Sequence, residues 1–235
     1  MKIKIRVSVI IPVKNGQEYI ERSIVSALNN MSQNDEIIIV DDGSKDKTLK
    51  IVKKLLNDPI NFTIVKSRNL GAARARNIGL SKANGKFIIF LDHDDTIPKN
   101  RIANHLKIFK KNKKIDIISG LTKIIFKKRL DISKFNYRFI NFNLKFTKNN
   151  YFNGRSILSS TFKKKIFKNL KFNETYTYAE DTDLLLRIRK KNFKIYKDKK
   201  ISYYYFIHEN NSIMSKDSSK LYKKNLFNIL RSNIN

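Results

Sequence analysis

Residues 85–95 read GKFIIFLDHDD: a glycine turn, five apolar residues, then three carboxylates within four positions. An uninterrupted apolar run of this length, bounded by turn residues, is the pattern of a strand buried on both faces, as in parallel sheets. The acids begin where that strand must end. Upstream, residues 36–44 (EIIIVDDGS) and 6–16 (RVSVIIPVKNG) repeat the order of apolar run, polar turn and helix. Ile20, Ile24 and Leu28, with Ala27 beside them, form the stripe of the first helix, which runs from Gln17 and for which Asn15 is the candidate cap. Ile51, Val52, Leu55 and Leu56 mark a second helix, with Ser44 placed to cap it. Residues 62–66 alternate as a third strand, and residues 72–83 are helix-like until Gly85 stops them. Strands and helices in alternation imply an α/β chain, with a mainly parallel sheet and helices on both faces. Open sheets of this kind bind ligands beyond the carboxyl ends of their strands, here after Val13, Val40 and Leu91.

Further along, Ile102, Leu106 and Phe109 predict a helix, and residues 115–126 predict one or two strands. Residues 127–153, rich in Lys, Asn and Phe, show no clear period and read as irregular, acceptor-facing loops. Leu184, Leu185 and Ile188 lie on a helix starting near Glu180. Residues 201–207 (ISYYYFI) read as a late strand, and Leu221, Leu226 and Leu230 belong to a basic amphipathic helix beginning at Ser218. At 235 residues, one domain is the expectation: residues 1–96, 97–215 and a terminal helix over 216–235 as its parts.

The chain has no cysteine, which excludes disulfides, thiol nucleophiles and thiolate-bound metals. Residues 7–13 are too short for a signal h-region or a membrane span, so the chain reads as cytoplasmic. A formal charge of +30, mostly Lys, demands an account. Lys is spread over nearly every predicted exposed face instead of one stripe, which favours a compositional habit over a dedicated nucleic-acid surface. Attachment to anionic lipid on the inner membrane face through the C-terminal helix is the remaining use of that charge.

Five groupings could carry chemistry. Asp92, Asp94 and Asp95 repel one another unless a cation or hydrogen-bond donors neutralise them. In an extended segment Asp92 and Asp94 would point the same way, roughly 6.5 Å apart, towards Mg²⁺ or Mn²⁺; a solvated turn capping the helix near Ile102 is the alternative. Asp42, after the second strand, either accepts a nucleobase imide N–H or serves a βα turn. Arg74 and Arg76, in GAARARN, either face an anion at a helix start or make surface contacts. Glu180, Asp181 and Asp183 either stabilise a helix N-terminus or include a general base. Tyr203, Tyr204 and Tyr205 precede His208 and Ser212, and His208 is either structural or a ligand to metal or diphosphate.

Taken in order, VSVIIPVKNGQEYI, VDDGSKDKT, GAARARNIGL, GKFIIFLDHDD and AEDTDLLLRI resemble glycosyltransferase family 2. The likeness is densest over residues 7–95, resumes over 154–187 and is loose between. It implies the GT-A fold, a mixed, mainly parallel sheet flanked by helices, with a doubly wound nucleotide-binding half and a smaller acceptor-binding half. It also implies an inverting, hexosyltransferase-type enzyme with a nucleotide-diphosphate sugar donor, UDP foremost, and a glycan or lipid-linked glycan acceptor, as in lipooligosaccharide or capsule synthesis. On matching positions, Pro12, Val13 and Asp42 would hold the uracil, Arg76 would lie near base or diphosphate, and Asp92 would contact the ribose. Asp94 would be the principal ligand of Mn²⁺ or Mg²⁺, with His208 on the phosphate side. Asp181 would be the catalytic base and Glu180 would position the acceptor. Phe206 departs from the pattern, standing where a basic residue is frequent. The rival classes are a basic nucleic-acid-binding protein and a nucleotidyltransferase that releases diphosphate.

Overall fold

The computed structural model describes residues 6–55, 61–126, 151–152, 156–208 and 216–234. Among them, eight strands form one sheet: β1 (Val7–Val13), β2 (Asp35–Asp41), β3 (Asn61–Lys66), β4 (Phe87–Phe90), β5 (Ile117–Phe126), β6 (Tyr151–Phe152), β7 (Ser160–Lys163) and β8 (Ile195–Ile207). The order is β3-β2-β1-β4-β7-β5-β6, with β8 paired to β5. Pairings among β1, β2, β3 and β4 are parallel, as is β5 with β8; β7 joins β4 and β5 antiparallel, and so does β6 to β5. The sheet is therefore mixed and mainly parallel.

Side chains on a strand alternate between faces, and the two cores follow that alternation. Val7, Val9, Ile11 and Val13 of β1 pack with α1 (Ile20–Leu28), α2 (Thr48–Lys54) and α4 (Arg101–Lys111). Ile10, with Ile38, Val40, Ile88 and Phe90, packs with α3 (Ala72–Lys82) and α5 (Glu180–Arg189) on the other face. A sixth helix, α6 (Lys216–Ile234), packs against α5. Gly79 permits α3 to lie this close, since a Cβ there would stand 2.4 Å from Ile10 Cγ2.

Several local expectations need correction. Asn15 does not cap α1: it takes a left-handed φ of 52°, and its Oδ1 accepts from Lys45 N at 2.9 Å. Ser44 does not cap α2, because its Oγ accepts from Asn15 N at 2.9 Å. Asn15 and Ser44 thus join the two βα loops to each other, while Asp46 accepts from Thr48 N at 3.0 Å at the start of α2. Residues 115–126 yield one strand with an irregularity around Gly120, β8 begins six residues before the apolar run, and α6 starts at Lys216. The acidic residues after β4 do not cap α4, whose N-cap is Asn100 in a left-handed conformation. On α6 the buried face carries Asn225 and Ile229, whereas Leu221 is exposed. Of the residues 127–153 read as irregular loops, Tyr151–Phe152 instead form β6 against β5, and 127–150 and 153 lie outside the described residues, as does Ser212.

Candidate active site

At the carboxyl end of β4, Leu91 N donates to Ile10 O, and the chain then turns at His93 and Asp94 instead of running extended. The three carboxylates consequently part company. Asp92 Oδ1 accepts from Arg76 Nη2 at 2.7 Å. Asp94 Oδ2 lies 3.1 Å from His208 Nε2. Asp95 is buried: it accepts from the Tyr203 hydroxyl at 2.7 Å and from Phe206 N at 2.8 Å. Tyr203 in turn accepts from Asp92 N at 3.2 Å, so one phenol in β8 pins both ends of the acidic turn. Burial and the charges of Asp94 and Asp92 push the Asp95 carboxyl well above its ordinary value. For Asp94 burial acts upwards too, but the His208 hydrogen bond and the nearby His93 and His208 outweigh it, and the net shift is downward. Hydrogen-bond donors to Asp92, Asp94 and Asp95 thus answer part of the repulsion anticipated in DHDD, while Asp95 still feels the charges of Asp94 and Asp92.

Arg76 sits beneath this turn, 5% exposed. Its Nη2 bonds Asp92, and its Nη1 donates to Glu180 Oε1 at 2.6 Å. Burial opposes the guanidinium charge, yet the two carboxylates more than compensate and hold Arg76 more firmly protonated than usual. One side chain in α3 therefore fastens the acids after β4 to those opening α5. Arg74, by contrast, is half exposed and only 3.7 Å from Glu174, a surface pair.

The α5 acids have distinct partners. Glu180 is held by Arg76, and Asp183 by Arg187 one turn on, at 2.5 Å. Among the described residues Asp181 is the one of the three in no salt bridge; its Oδ1 accepts from Thr182 N at 2.7 Å. Burial raises the Asp181 carboxyl, with Arg76 pulling against that rise; Glu180 is raised by burial and by Asp181, again against Arg76.

On the β1–β2 side, Pro12 and Val13 are buried at the strand end, and Asp42 N donates to Val13 O at 2.8 Å. The Asp42 carboxylate accepts from Leu70 N at 2.8 Å and Gly71 N at 2.7 Å, tying β2 to the loop before α3. Sequence reasoning passed over Arg22 and Tyr19, as nothing in an exposed helix face marks them. Arg22 donates to Asp94 O at 2.5 Å and stacks 3.7 Å over the Phe206 ring, bringing a cation from α1 to the position where β8 lacks one. Tyr19 stacks on His208 at 4.2 Å. Tyr203 stood in the Tyr203–Tyr205 grouping before His208, but nothing in the sequence told it apart from its neighbours as the partner of Asp95.

Among the described residues no three His, Asp or Glu side chains converge as a metal-binding group. Asp94 and His208 nonetheless offer a carboxylate oxygen and an imidazole nitrogen side by side, donors suited to Mn²⁺ or Mg²⁺ when phosphate oxygens complete the shell.

Comparison with known proteins bears on the family and the fold. Residues 8–171 match the family described as Glycosyl transferase family 2. The minor teichoic acid biosynthesis protein GgaB of Bacillus subtilis is 32% identical over 229 residues, covering 94% of this chain and 25% of that protein. An uncharacterized glycosyltransferase of Haemophilus influenzae is 39% identical over 107 residues, covering 45% of this chain and 43% of its own. The chain thus spans less than half the length of these relatives. In structure it resembles S. aureus TarS 1-349 in complex with UDP-GlcNAc (TM-score 0.70, 22% identity, 92% of this chain and 64% of that one). It also resembles the mannosyltransferase PcManGT from Pyrobaculum calidifontis in complex with GDP-Man and Mn2+ (TM-score 0.63, 18% identity, 89% and 59%). These two likenesses bear on the fold, which is of the GT-A type.

Proposed function

The chain belongs to glycosyl transferase family 2, and from that membership we propose that it is an inverting glycosyltransferase moving a sugar from a UDP donor to a hydroxyl of a glycan or lipid-linked glycan. The observation that carries this reading is the Arg76 bridge, which joins Asp92 and Glu180, the residues proposed for the donor and acceptor sides. Residues 1–96 would bind the nucleotide sugar and residues 97–215 the acceptor. Pro12, Val13 and Asp42 border the uracil, Asp92 the ribose, and Arg76 with Arg22 the diphosphate side. Relatives named for teichoic acid synthesis support a cell-envelope acceptor.

Asp94 and His208 would hold the divalent ion, whose chemistry is to neutralise the leaving diphosphate. Asp181 takes the proton of the acceptor hydroxyl as that oxygen bonds to the anomeric carbon. The bond from that carbon to the diphosphate breaks on the opposite face, so configuration inverts and the nucleoside diphosphate leaves. Glu180, fixed by Arg76, borders the acceptor and leaves the base role to its neighbour.

The test is a panel of UDP- and GDP-sugars scored by thermal stabilisation with and without Mn²⁺. A UDP-sugar at 100 times its dissociation constant should add about 2.7 kcal/mol of stability. Asp94→Asn should lose the Mn²⁺-dependent part of it. Stabilisation that ignores both the metal and the variant would sink the metal and donor assignments.

No helix among the described residues is long and apolar enough to cross a membrane. The outward face of α6 combines Lys220, Lys224 and Arg231 with Phe227, 65% exposed, and Lys223 and Leu221 are exposed at its flanks. This face suits an anionic lipid surface. Replacing Lys220, Lys224 and Arg231 together by Ala should weaken binding to phosphatidylserine vesicles about 100-fold, at about 1 kcal/mol per charge. Co-sedimentation unchanged by these substitutions or by salt counts against the contact.

A further inference from the structure

The start of α1 grips the acidic turn and the end of β8 together. Gly16, in the loop before the helix, lies so close to the turn that a Cβ there would stand 2.6 Å from His93 Cδ2. Ser23 Oγ donates to Asp92 O at 3.1 Å and Arg22 Nη2 to Asp94 O at 2.5 Å, so one helix holds two backbone carbonyls of the turn. Tyr19 and Arg22, three residues apart, share a face of that helix start. Opposite them, Phe206 and His208 stand two residues apart at the end of β8. The Arg22 guanidinium lies 3.7 Å from the Phe206 centroid and 5.7 Å from that of Tyr19. The Tyr19 ring stacks on the His208 imidazole at 4.2 Å, with 27° between the planes. Two side chains from the start of α1 are thus laid against two from the end of β8, and one of these, His208, holds its Nε2 3.1 Å from Asp94 Oδ2.

We propose that Tyr19 is a positioning residue for the divalent ion: its ring holds the plane of the His208 imidazole, so that Nε2 and Asp94 Oδ2 address one cation. The inference rests on Asp94 and His208 being the metal pair. The lone pair of an imidazole nitrogen lies in the ring plane, so the ion is met only when that plane is set. A ring packed on the imidazole face restrains the plane without covering the edge that carries Nε2. Arg22 and Ser23 do the corresponding work for Asp94, fixing the backbone from which its side chain departs. Packing alone does not call for an aromatic here. Among the described residues neither hydrophobic core includes Tyr19, and the face it covers is an imidazole instead of an apolar side chain.

The decisive measurement needs neither acceptor nor turnover. Mn²⁺ is titrated into the full chain with UDP present, and the free ion is followed by its electron paramagnetic resonance signal against UDP alone. Tyr19→Leu should weaken Mn²⁺ binding about tenfold, the lower end of the cost of losing a group that orients a metal ligand. Tyr19→Phe keeps the ring and should stay within about twofold of the parent. Asp94→Asn and His208→Gln should each lose more than Tyr19→Leu. Parental affinity in Tyr19→Leu, with binding lost in Asp94→Asn, overturns this inference and leaves the metal pair standing. Tyr19→Phe as weak as Tyr19→Leu also overturns it, because the ring is then not the agent. Parental affinity in Asp94→Asn, or no uptake by the parent, removes the metal pair and the role of Tyr19 with it. Should Tyr19→Leu not fold, the parent decides by proton NMR. The chain has three histidines, and the His208 ring protons are identified by their loss in His208→Gln. Stacked on Tyr19 they should resonate upfield of an unstacked imidazole, and Mn²⁺ with UDP should broaden them; ordinary positions or unbroadened lines overturn the inference.

Discussion

Asp181→Asn should lower sugar transfer about 10²- to 10⁴-fold, the range general base catalysis contributes, while changing nucleotide-sugar affinity less than about twofold. The substitution is nearly isosteric. An asparagine Oδ1 can still accept from Thr182 N, which now bonds the carboxylate at 2.7 Å, so the first turn of α5 keeps its geometry. What disappears is the ability to hold a proton. In the proposed site the donor would lie across the Arg76 bridge, against residues this change leaves alone, so its binding provides the internal control. The pH dependence supplies a second signature. The base must be ionised to act, and burial raises its carboxyl above the ordinary aspartate value. Parental activity is therefore low where Asp181 is protonated and climbs as pH rises through a limb displaced upward from the usual carboxylate range. The residual rate of the Asn variant should lack that limb. Measuring kcat against pH for both proteins checks this, and a variant with parental rate and an unchanged profile would mean that the proton goes elsewhere.

How far the sequence alone foretold these residues depends on what each signal reports. Strands β1, β2 and β4 were legible because they are buried on both faces, and only uninterrupted apolar runs satisfy that environment. Their carboxyl ends then located the acids without any tertiary information. The caps were not legible. Asn15 and Ser44 are good capping residues by type, but the loops after β1 and β2 lie side by side, and Asn15, Ser44, Asp46 and Thr48 bond across them. Partners 29 to 32 residues away compete successfully with local geometry. The division of labour within DHDD was hidden for the same reason, since Asp95 is set apart by Tyr203 and Phe206, 108 and 111 residues later, and Asp94 by His208. On α6 the leucine spacing suggested one face, whereas Asn225 and Ile229 turn inward, and Asn225 meets the carbonyl of Tyr178 there. Polar burial of that kind leaves no hydrophobic period to read.

Arg76→Met should be the most destabilising single substitution at the site. The methionine fills similar space beside Phe172, over whose ring the guanidinium now lies at 5.4 Å. It leaves Asp92 and Glu180, with side chains 23% and 12% exposed, facing each other without the cation between them. Removing one partner from a buried ion pair costs about 3–5 kcal/mol. For a chain of this size that corresponds to a melting temperature lower by roughly 6–20 °C. Arg76→Lys should fall between, because a single ammonium lacks the fork that reaches two carboxylates at once. The more telling comparison is the triple change of Arg76→Met with Asp92→Asn and Glu180→Gln. Once the stranded charges are neutralised most of the penalty has no source, so much of the lost melting temperature should return. Turnover should not return, because the donor-side and acceptor-side elements are then no longer drawn together by charge. Stability and activity would thereby be separated at one residue. A calorimetric scan placing Arg76→Met within a degree of the parent would instead mean that the two acidic segments are held by their own elements, and that the bridge unites nothing.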